Sequence, residues 1–241
     1  MSRARIFIIR LLINLNEEIF FYPRLKKIYD GINRNQKLNL LIDVGVNRGQ
    51  SIRFFRKINP DIEIFGFEPN IRLFNNLINK KIKNLKIFNI GCSNISGELV
   101  FKENVIDESS TFEKINKDSK WLQKKAMIIG KEKDKLIKRT YKVNVVRLNE
   151  FIISNLTDRM IDVIKIDVEG HEHRVLDGLF GNHKSRIRFI QIEIHDDDLY
   201  ENQNEFINNI LKKNGFIEVF RVKHGFGNFY DLIYKNKYVK N

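Results

Sequence analysis

Acidic and histidine side chains crowd into one short stretch of the sequence, "KIDVEGHEHR". Asp167, Glu169 and His171 lie there, just after an apolar run, and a second pair, Glu193 and His195, follows another apolar run. Side chains of these types can take a proton from a reacting group, and we favour Asp167 or His171 in that role. They can also bind a divalent metal. Since the spacing does not require one, we predict a site without a metal.

The mostly apolar strand that is predicted at the start of this stretch also contains charged residues. Alternate side chains of a strand point to opposite faces, so Lys165 and Asp167 share one face while Ile164, Ile166 and Val168 share the other. Charged groups in a central strand are costly to bury without partners. Their position at the carboxyl end of the run favours a ligand site over the alternative, an ion-paired strand end.

A loop in "LIDVGVNRGQ" places Gly45 and Gly49 four residues apart, after Asp43. A strand, a glycine loop and a helix in this order let backbone N–H groups and a helix N-terminus face a ligand. The loop lacks the middle glycine of a dinucleotide-binding motif and the Gly-Lys-Ser/Thr ending of a phosphate loop. An acid at the strand end suits a ligand with an ammonium group instead.

A carboxylate after the next apolar run adds to this pattern. Glu68 lies in "FGFEPN", 19 residues beyond Gly49, and an acid at a strand tip can accept hydrogen bonds from both hydroxyls of an adenosine ribose. S-adenosylmethionine carries both an ammonium group and an adenosine ribose, so the two features together point to this cofactor. Taken alone, the loop could equally be an ordinary turn that binds no ligand, with a glycine required by the turn and an aspartate at the surface.

The elements that must position these residues alternate along the chain, which is typical of a parallel α/β sheet. Strands are predicted at residues 38–44, 62–68, 85–92, 97–103, 141–148, 162–168, 187–195, 216–222 and 229–235. Helices are predicted at about 50–58, 71–80, 172–180 and 203–213. The runs at 97–103 and 141–148 are expected to pair as extra strands, and the last two strands to form a hairpin around "KHGFGN".

The length of 241 residues fits one domain with additions. We predict a helical extension over residues 1–36 and a main domain over 37–241, with a lysine-rich helical insertion at about 109–139. The insertion is either a solvated helix or a lid over the substrate cleft. Arg10 interrupts the apolar run near the start and no small-residue cleavage site follows, which favours an amphipathic helix packed on the domain over a signal peptide. No transmembrane segment is predicted; peripheral contact of this helix with a membrane surface is the lesser alternative.

The net charge is +13, but the basic residues spread along the whole chain, so they are only a weak hint of anionic partners. Cys92 is the single cysteine, which excludes an internal disulfide and a cysteine-based zinc site. This cysteine usage suggests a reducing compartment and hence a cytoplasmic protein.

Four motifs, "LIDVGVNRG", "FGFEPN", "SSTF" and above all "IKIDVEGHEHRVLDGL", resemble those of the FkbM-type methyltransferases. The resemblance runs in order from about Leu40 to His195. It implies a Rossmann-like class I methyltransferase fold, an α/β fold in which a mostly parallel seven-stranded sheet has a reversed last strand and helices on both faces. It also implies methyl transfer from S-adenosylmethionine, most often to a hydroxyl oxygen of a sugar, glycan or other small molecule.

The same resemblance assigns roles to single residues. The residues that it implies as cofactor contacts are Asp43, Gly45, Asn47 and Gly49 at the methionine end, Glu68 at the ribose, and Gly91, Cys92 and Ser93 near the adenine. It places Asp167 at the reacting centre. Val46 stands where the family commonly has alanine, and Asn149 where it commonly has aspartate, so position 149 lacks the usual charge.

Two other functions remain open from the sequence. An RNA or other nucleic-acid methyltransferase would suit the basic charge. However, the chain has no "PPY"-type motif, and the lysine-rich insertion offers only Trp121 for stacking on bases. We therefore expect a small-molecule or glycan acceptor and no nucleic-acid partner. A non-catalytic binding protein with the same fold is the other possibility, although the cofactor-loop features are all retained.

Overall fold

Ten strands form in the computed structural model, which describes residues 2–180, 186–225 and 227–239. They are β1 (Leu40–Val44), β2 (Glu63–Phe67), β3 (Leu85–Phe88), β4 (Gly91–Ser93), β5 (Gly97–Asn104), β6 (Ile137–Arg147), β7 (Ile161–Ile166), β8 (Ile187–His195), β9 (Phe216–Lys223) and β10 (Phe229–Asn236). The α-helices of the same residues are α1 (Ser2–Asn16), α2 (Tyr22–Asn35), α3 (Gln50–Ile58), α4 (Ile71–Ile78), α5 (Lys120–Ile129), α6 (Leu148–Asn155), α7 (Glu172–Asp177) and α8 (Asn204–Lys213). One π-helical turn, Glu17–Phe21, joins α1 to α2.

Seven of these strands form one sheet in the order β3-β2-β1-β7-β8-β10-β9. Strand β10 runs antiparallel to both β8 and β9, and the other pairings are parallel. This confirms the predicted sheet, mostly parallel and with its last strand reversed.

The sheet is covered on both faces because most side chains of its central strands β1 and β7 are apolar on both sides, as is usual for buried parallel strands. Alternate residues of β1 enter two different core clusters. Leu40, Ile42 and Val44 face a cluster that includes residues of α6 and α7. Leu41 faces a second cluster, which includes residues of α2 and α3. The carboxyl ends of β1 and β7 are thus held in fixed positions by packing from both sides.

The predicted strand at 85–92 is two strands. β3 stays in the main sheet, whereas β4 pairs with β6 in a second sheet of order β4-β6-β5. Between them, the amide of Asn89 donates hydrogen bonds to the carbonyl oxygens of Glu68 and Pro69, at 2.9 and 3.0 Å. These bonds hold the chain across the end of β2 and turn it out of the sheet. The extra pairing of β5 with β6 was predicted correctly, whereas α6 was not predicted.

The first helices pack on the domain through different partners. In α2, Leu25 and Tyr29 enter the core cluster beside α3, and Pro23 lies in its first turn, where proline is well tolerated. In α1, Ile6 and Ile9 pack against a third cluster that includes α5. No helix among the described residues is both long enough and apolar enough to span a bilayer.

Helix α5 occupies the segment predicted as a lysine-rich insertion, between β5 and β6. The Ser119 hydroxyl caps its first turn by accepting from Leu122 N at 2.9 Å, and Gly130, with φ +72°, ends it. The Asp198 carboxylate accepts hydrogen bonds from the Ser119 hydroxyl (2.6 Å) and from the N–H groups of Lys120 (2.7 Å) and Trp121 (3.1 Å). The insertion is thereby tied to the loop that follows β8.

Candidate active site

A cavity of about 750 Å³ lies beyond the carboxyl ends of β1, β2, β7 and β8. Pockets for small molecules and cofactors usually measure about 300 to 1,000 Å³, so the cavity could hold a nucleoside cofactor together with part of an acceptor. Helices α1 and α5 contribute to its wall opposite the strand ends. Of the residues proposed from the sequence, the lining includes Gly45, Asn47, Glu68, Cys92, Asp167 and Glu169.

The glycine loop bends sharply after β1. Gly45 has φ +89°, and a Cβ atom there would overlap the carbonyl oxygen of Asp167 on the neighbouring strand. The N–H groups of Gly45 and Val46 both donate to the carbonyl oxygen of Phe67, at 3.1 Å. Gly49, with φ +81°, begins α3. Close packing of the loop against β7 and β2 is therefore the direct reason for glycine at position 45.

Buried oxygen atoms without a hydrogen-bond donor lie in and beneath this loop. Asp43 is fully buried, and its Oδ2 accepts from the Ser51 hydroxyl, while Oδ1 has no partner. The side-chain oxygen of Asn47, in the cavity wall, is also buried without a donor. Burial raises the pKa of Asp43, and the nearby Lys165 ammonium opposes that shift. Buried acceptors normally have a donor, so these two oxygens are exceptions, and a role for them at the cofactor stays a prediction.

Glu68 links the glycine loop to the turn after β2. Its Oε2 accepts from Asn47 N at 2.7 Å and its Oε1 from Asn70 N at 2.8 Å. Burial raises the pKa of Glu68 to about 7, although the two N–H groups oppose the shift. Each carboxylate oxygen can accept a further hydrogen bond, so Glu68 keeps acceptor capacity toward the cavity. Its role at a ribose stays a prediction.

The predicted adenine contacts lie on β4 and divide into two groups. Gly91 and Cys92 line the cavity, and burial raises the pKa of the Cys92 thiol, so this cysteine stays a neutral apolar wall. Ser93 is buried behind them, and its hydroxyl lies 3.0 Å from Nε2 of His171.

His171 does not line the cavity. Its Nδ1 lies 2.6 Å from Oε1 of Glu113, its Nε2 contacts Ser93, and its ring packs on Phe112. Both ring nitrogens are thus engaged, one by Ser93 of the second sheet and the other by Glu113 of the segment between β5 and β6. His171 stabilises the loop after β7. Its role as a base stays a prediction, and its side chain does not line the cavity.

Asp167 faces the cavity from the end of β7. Lys165, two residues earlier on the same face, donates from Nζ to Asp167 Oδ2 at 2.8 Å. Enclosure by protein raises the pKa of Asp167 to about 6, helped by Glu193 and opposed by Lys165. The carboxyl group is therefore largely ionised at neutral pH, yet it is more basic than an ordinary aspartate.

Glu169 lies in a strained turn just beyond Asp167. Its φ is +55° and that of Gly170 is +94°, a conformation that non-glycine residues seldom adopt. The Thr111 hydroxyl holds the turn by donating to the carbonyl oxygen of Glu169 at 2.7 Å. Burial raises the pKa of Glu169 to about 8, with the positive charge of His195 opposing, so its carboxyl group is mostly protonated at neutral pH.

Two further residues reach the cavity from the C-terminal hairpin, and the sequence reasoning did not identify them. His224 directly follows β9, and Asp231 lies on β10, directly opposite Glu193 of β8. Nε2 of His224 lies 2.8 Å from Asp231 Oδ1 and 3.6 Å from Glu193 Oε1. Burial alone lowers the pKa of His224, but Asp231 raises it to about 9. The one feature of the sequence that pointed toward this contact was the predicted reversed last strand, which places β10 beside β8.

Glu193 and His195, proposed from the sequence as alternative bases, form a charged pair in the cavity wall, with 3.0 Å between Oε2 and Nε2. Burial opposes the charge on His195, but Asp197 and Glu193 raise its pKa well above the ordinary value. Correspondingly, His195 lowers the pKa of Glu193 to about 2 despite burial. At neutral pH the pair is an imidazolium and a carboxylate.

Among the described residues, two groups could supply three ligands to a metal ion: Glu169, Glu193 and His195, and Glu193, His224 and Asp231. Within each group the ligand atoms lie within 4.8 Å of one another. Three cations of the chain itself, Lys165, His195 and His224, already lie among these carboxylates. The negative charge is therefore largely balanced by the protein.

Asp107 gathers three arginines at the rim of the cavity. It is nearly fully buried and accepts hydrogen bonds from the guanidinium groups of Arg10, Arg48 and Arg72. Burial alone raises the pKa of Asp107, but Arg72 and the other two arginines hold it below its ordinary value. This contact joins α1, the glycine loop and α4, and the sequence pattern did not predict it.

A family model described as the methyltransferase FkbM domain matches residues 43–218. The chain belongs to the FkbM methyltransferase family. No curated protein matches the chain. The match covers the glycine loop, Glu68 and every carboxylate of the cavity except Glu17 and Asp231.

This FkbM protein has the class I methyltransferase fold, and several solved structures are similar to it. A human methyltransferase 10 domain containing protein has a TM-score of 0.50 at 10% identity, and the match covers 98% of each chain. Magnesium protoporphyrin IX methyltransferase from Synechocystis, with bound S-adenosylmethionine, has a TM-score of 0.49 at 11% identity over 92% of this chain and 81% of that one. Methanococcus jannaschii fibrillarin has 0.44 at 14% identity, over 84% and 67%.

S-adenosylmethionine is the cofactor of the FkbM methyltransferase family, and the cavity is large enough to hold it. Of the residues predicted at the methionine end, Gly45 and Asn47 line the cavity, whereas Asp43 is fully buried beneath the loop. Glu68 offers acceptors for hydroxyl groups at the next strand end. The FkbM protein is therefore an S-adenosylmethionine-dependent methyltransferase.

Proposed function

We propose that the protein transfers the methyl group to a hydroxyl oxygen of a sugar, glycan or other small molecule. The observation that carries this proposal is the position of a carboxylate, Asp167, in the cavity wall two strands from Glu68, the predicted ribose contact. An alcohol must lose its proton when its oxygen becomes an ether oxygen. A carboxylate beside the reacting oxygen meets that need.

S-adenosylmethionine supplies a methyl group that is already activated as a sulfonium. The chain then has to bind the two reactants in line, exclude water and remove one proton. In this proposal the oxygens of Asp43 and Asn47 hold the ammonium end of the cofactor, and Glu68 holds the ribose.

The pKa values favour Asp167 as the base over its neighbours. His195 and His224 are protonated at neutral pH and cannot accept a proton. Glu193 is a much weaker base, because its pKa is about 2. Asp167, with a pKa of about 6, is ionised and more basic than Glu193. Its Oδ1 can take the proton of the acceptor's hydroxyl group, while Lys165 donates a hydrogen bond to Oδ2.

The other two residues proposed from the sequence receive different roles. Glu169 is mostly protonated, so it donates a hydrogen bond to the acceptor rather than taking its proton. His171 is a positioning residue, since its contacts with Glu113 and Ser93 fix the turn that carries Asp167 and Glu169.

Methyl transfer from labelled S-adenosylmethionine to a panel of saccharides, small alcohols and RNA oligonucleotides tests the proposal. We expect label in an alkali-stable ether of a hydroxylated small molecule. Asp167→Asn should abolish transfer while leaving the thermal shift caused by S-adenosylhomocysteine unchanged. The matched control is Asp158→Asn, which changes an exposed aspartate after α6. Label found only in RNA, or full activity of Asp167→Asn, would overturn the proposal.

A further inference from the structure

One side of α1 and of the π-helical turn that follows it presents large apolar side chains to solvent. Phe7 is 68% exposed, and its neighbours on this side are 53 to 56% exposed. We call this set the N-terminal apolar stripe; it comprises Phe7, Ile8, Leu11, Leu12, Leu15 and Ile19. The spacing of three and four residues puts these side chains on one face of a helix. Contiguous exposed apolar surface of this kind marks an interaction site.

The domain does not cover this stripe because α1 is docked through another face. Ile6 and Ile9 pack into the cluster that contains Leu122, Ala126 and Ile129. The helix is thus apolar on two sides, one against α5 and one against solvent. Met127, 76% exposed, and Ile128, 44% exposed, add apolar surface on α5.

The charges of α1 and α5 all have one sign. Together the two helices contain six basic residues and no acidic residue; the basic residues are Arg3, Arg5, Arg10, Lys120, Lys124 and Lys125. Arg5, Lys120 and Lys124 are exposed. Arg10 is paired with Asp107 and Glu108, so Arg5, Lys120 and Lys124 are the exposed cations that accompany the apolar surface, with no carboxylate on the same helices.

We propose that the N-terminal apolar stripe inserts into the interface of an anionic lipid bilayer. A helix that lies in the bilayer surface buries an apolar face among the acyl chains and sets basic side chains against anionic headgroups. α1 and α5 supply both features. A second copy of the chain fits less well, because a symmetric contact through this face would bring the exposed cations Arg5, Lys120 and Lys124 of both copies together.

The position of the stripe gives the contact a direction. Ile9, Leu12 and Ile13 of the same helix line the cavity. Binding through the stripe therefore brings the α1 side of the cavity close to the headgroup region. The binding itself does not depend on the proposed acceptor, so its test is separate from the methyl-transfer assay.

Co-sedimentation of the full chain with lipid vesicles tests the proposal. One set of vesicles contains phosphatidylcholine alone, and the other contains equimolar phosphatidylcholine and phosphatidylglycerol. The stripe variant carries Ile8→Gln, Leu11→Gln and Leu15→Gln, three exposed positions outside the cavity lining. The control variant carries Ile95→Gln, Ile153→Gln and Ile217→Gln, which are 46 to 53% exposed elsewhere. Glutamine is compatible with a helix.

We expect the parent and the control variant to bind the anionic vesicles, more weakly as salt is added, and the stripe variant to remain in solution with an unchanged unfolding midpoint. Lys120→Gln and Lys124→Gln should each weaken binding about fivefold. Equal binding of the stripe variant and the parent would overturn the proposal. Absence of vesicle binding by the parent would also overturn it. If the parent were then found to be a dimer and the stripe variant a monomer, a second copy of the chain would be the occupant of the stripe.

Discussion

The ammonium group of Lys165 lies 2.8 Å from Oδ2 of Asp167, and both side chains face the cavity. Asp43 is directly opposite Lys165 on the neighbouring strand β1, so one lysine serves two carboxylates. Since Asp43 lies beneath the cofactor loop and Asp167 at the proposed reacting centre, the lysine connects the electrostatics of the two halves of the cavity.

The pH dependence of methyl transfer should report this pair. Asp167 must be ionised to accept a proton, so kcat/KM should rise with pH and level off above its pKa of about 6. Lys165 lowers that pKa. Lys165→Gln should therefore move the acid limb to higher pH, which a pH profile of both proteins measures. An unshifted limb would separate Asp167 from the titrating group.

Gly45→Ala should destabilise the fold severely. The new methyl group would overlap the carbonyl oxygen of Asp167, and φ is +89°, so we expect a loss of about 3 kcal/mol or more. The matched control is Gly31→Ala in α2, where nothing lies within 4 Å of the new Cβ atom. That change should raise stability by about 0.5 to 1 kcal/mol. Urea unfolding of the two variants gives both values, and similar losses in the two would contradict the packing argument.

Glu68→Ala should weaken both the fold and the binding of S-adenosylhomocysteine. The N–H groups of Asn47 and Asn70 would lose their acceptor, at a cost of about 2 kcal/mol. Thermal unfolding with and without the ligand separates the two effects. Glu63→Ala, at the start of the same strand and outside the cavity, serves as the control. A parent-like shift by the ligand in Glu68→Ala would remove this residue from the cofactor site.

Stability should fall as the pH rises from about 5 to about 9. Burial raises the pKa of Glu17, Glu68 and Glu172 to about 7 from the ordinary 4.5. Between these values the folded protein holds protons that the unfolded chain has released, so each unit of pH costs stability. Although burial opposes it, Asp231 raises the pKa of His224 from 6.5 to about 9. Its contribution is complete below 6.5 and is lost as the pH rises through 9.

The unfolding midpoint measured across this range checks the prediction. Glu172→Gln keeps an acceptor for Val168 N, which Glu172 Oε1 holds at 3.0 Å, and should flatten the curve between about 4.5 and 7. A midpoint that rises with pH would show that the carboxylates are ionised in the folded protein.

The parts of this architecture that follow from local pattern could be predicted from the sequence. Apolar runs and the glycine loop located β1 and β7, and with them the carboxyl ends where Asp43 and Asp167 lie. The departure of β4 could not be predicted, because it depends on the contacts of Asn89 with the end of β2. Those contacts are tertiary and leave no periodic trace.

The same limit explains the missed site residues. His224 reaches Glu193 only through the register of β10, which pairs Asp231 with Glu193 across the sheet. Asp107 meets Arg10, Arg48 and Arg72 from three separate elements. No motif or periodicity in the sequence marks these residues, so the clusters become visible in the folded structure.

The reversed strand β10 also has a kinetic consequence. Among the residues that the structure describes, strand β9 pairs in the sheet with β10 alone, and β10 lies between β8 and β9. During synthesis, β8 therefore presents an open edge until the residues up to Asn236 have left the ribosome, and β9 cannot join the sheet before then. Open edges of apolar strands invite pairing with other chains. Formation of the β9–β10 hairpin thus completes the sheet, and it also covers the open edge of β8 that makes the nascent chain prone to aggregate.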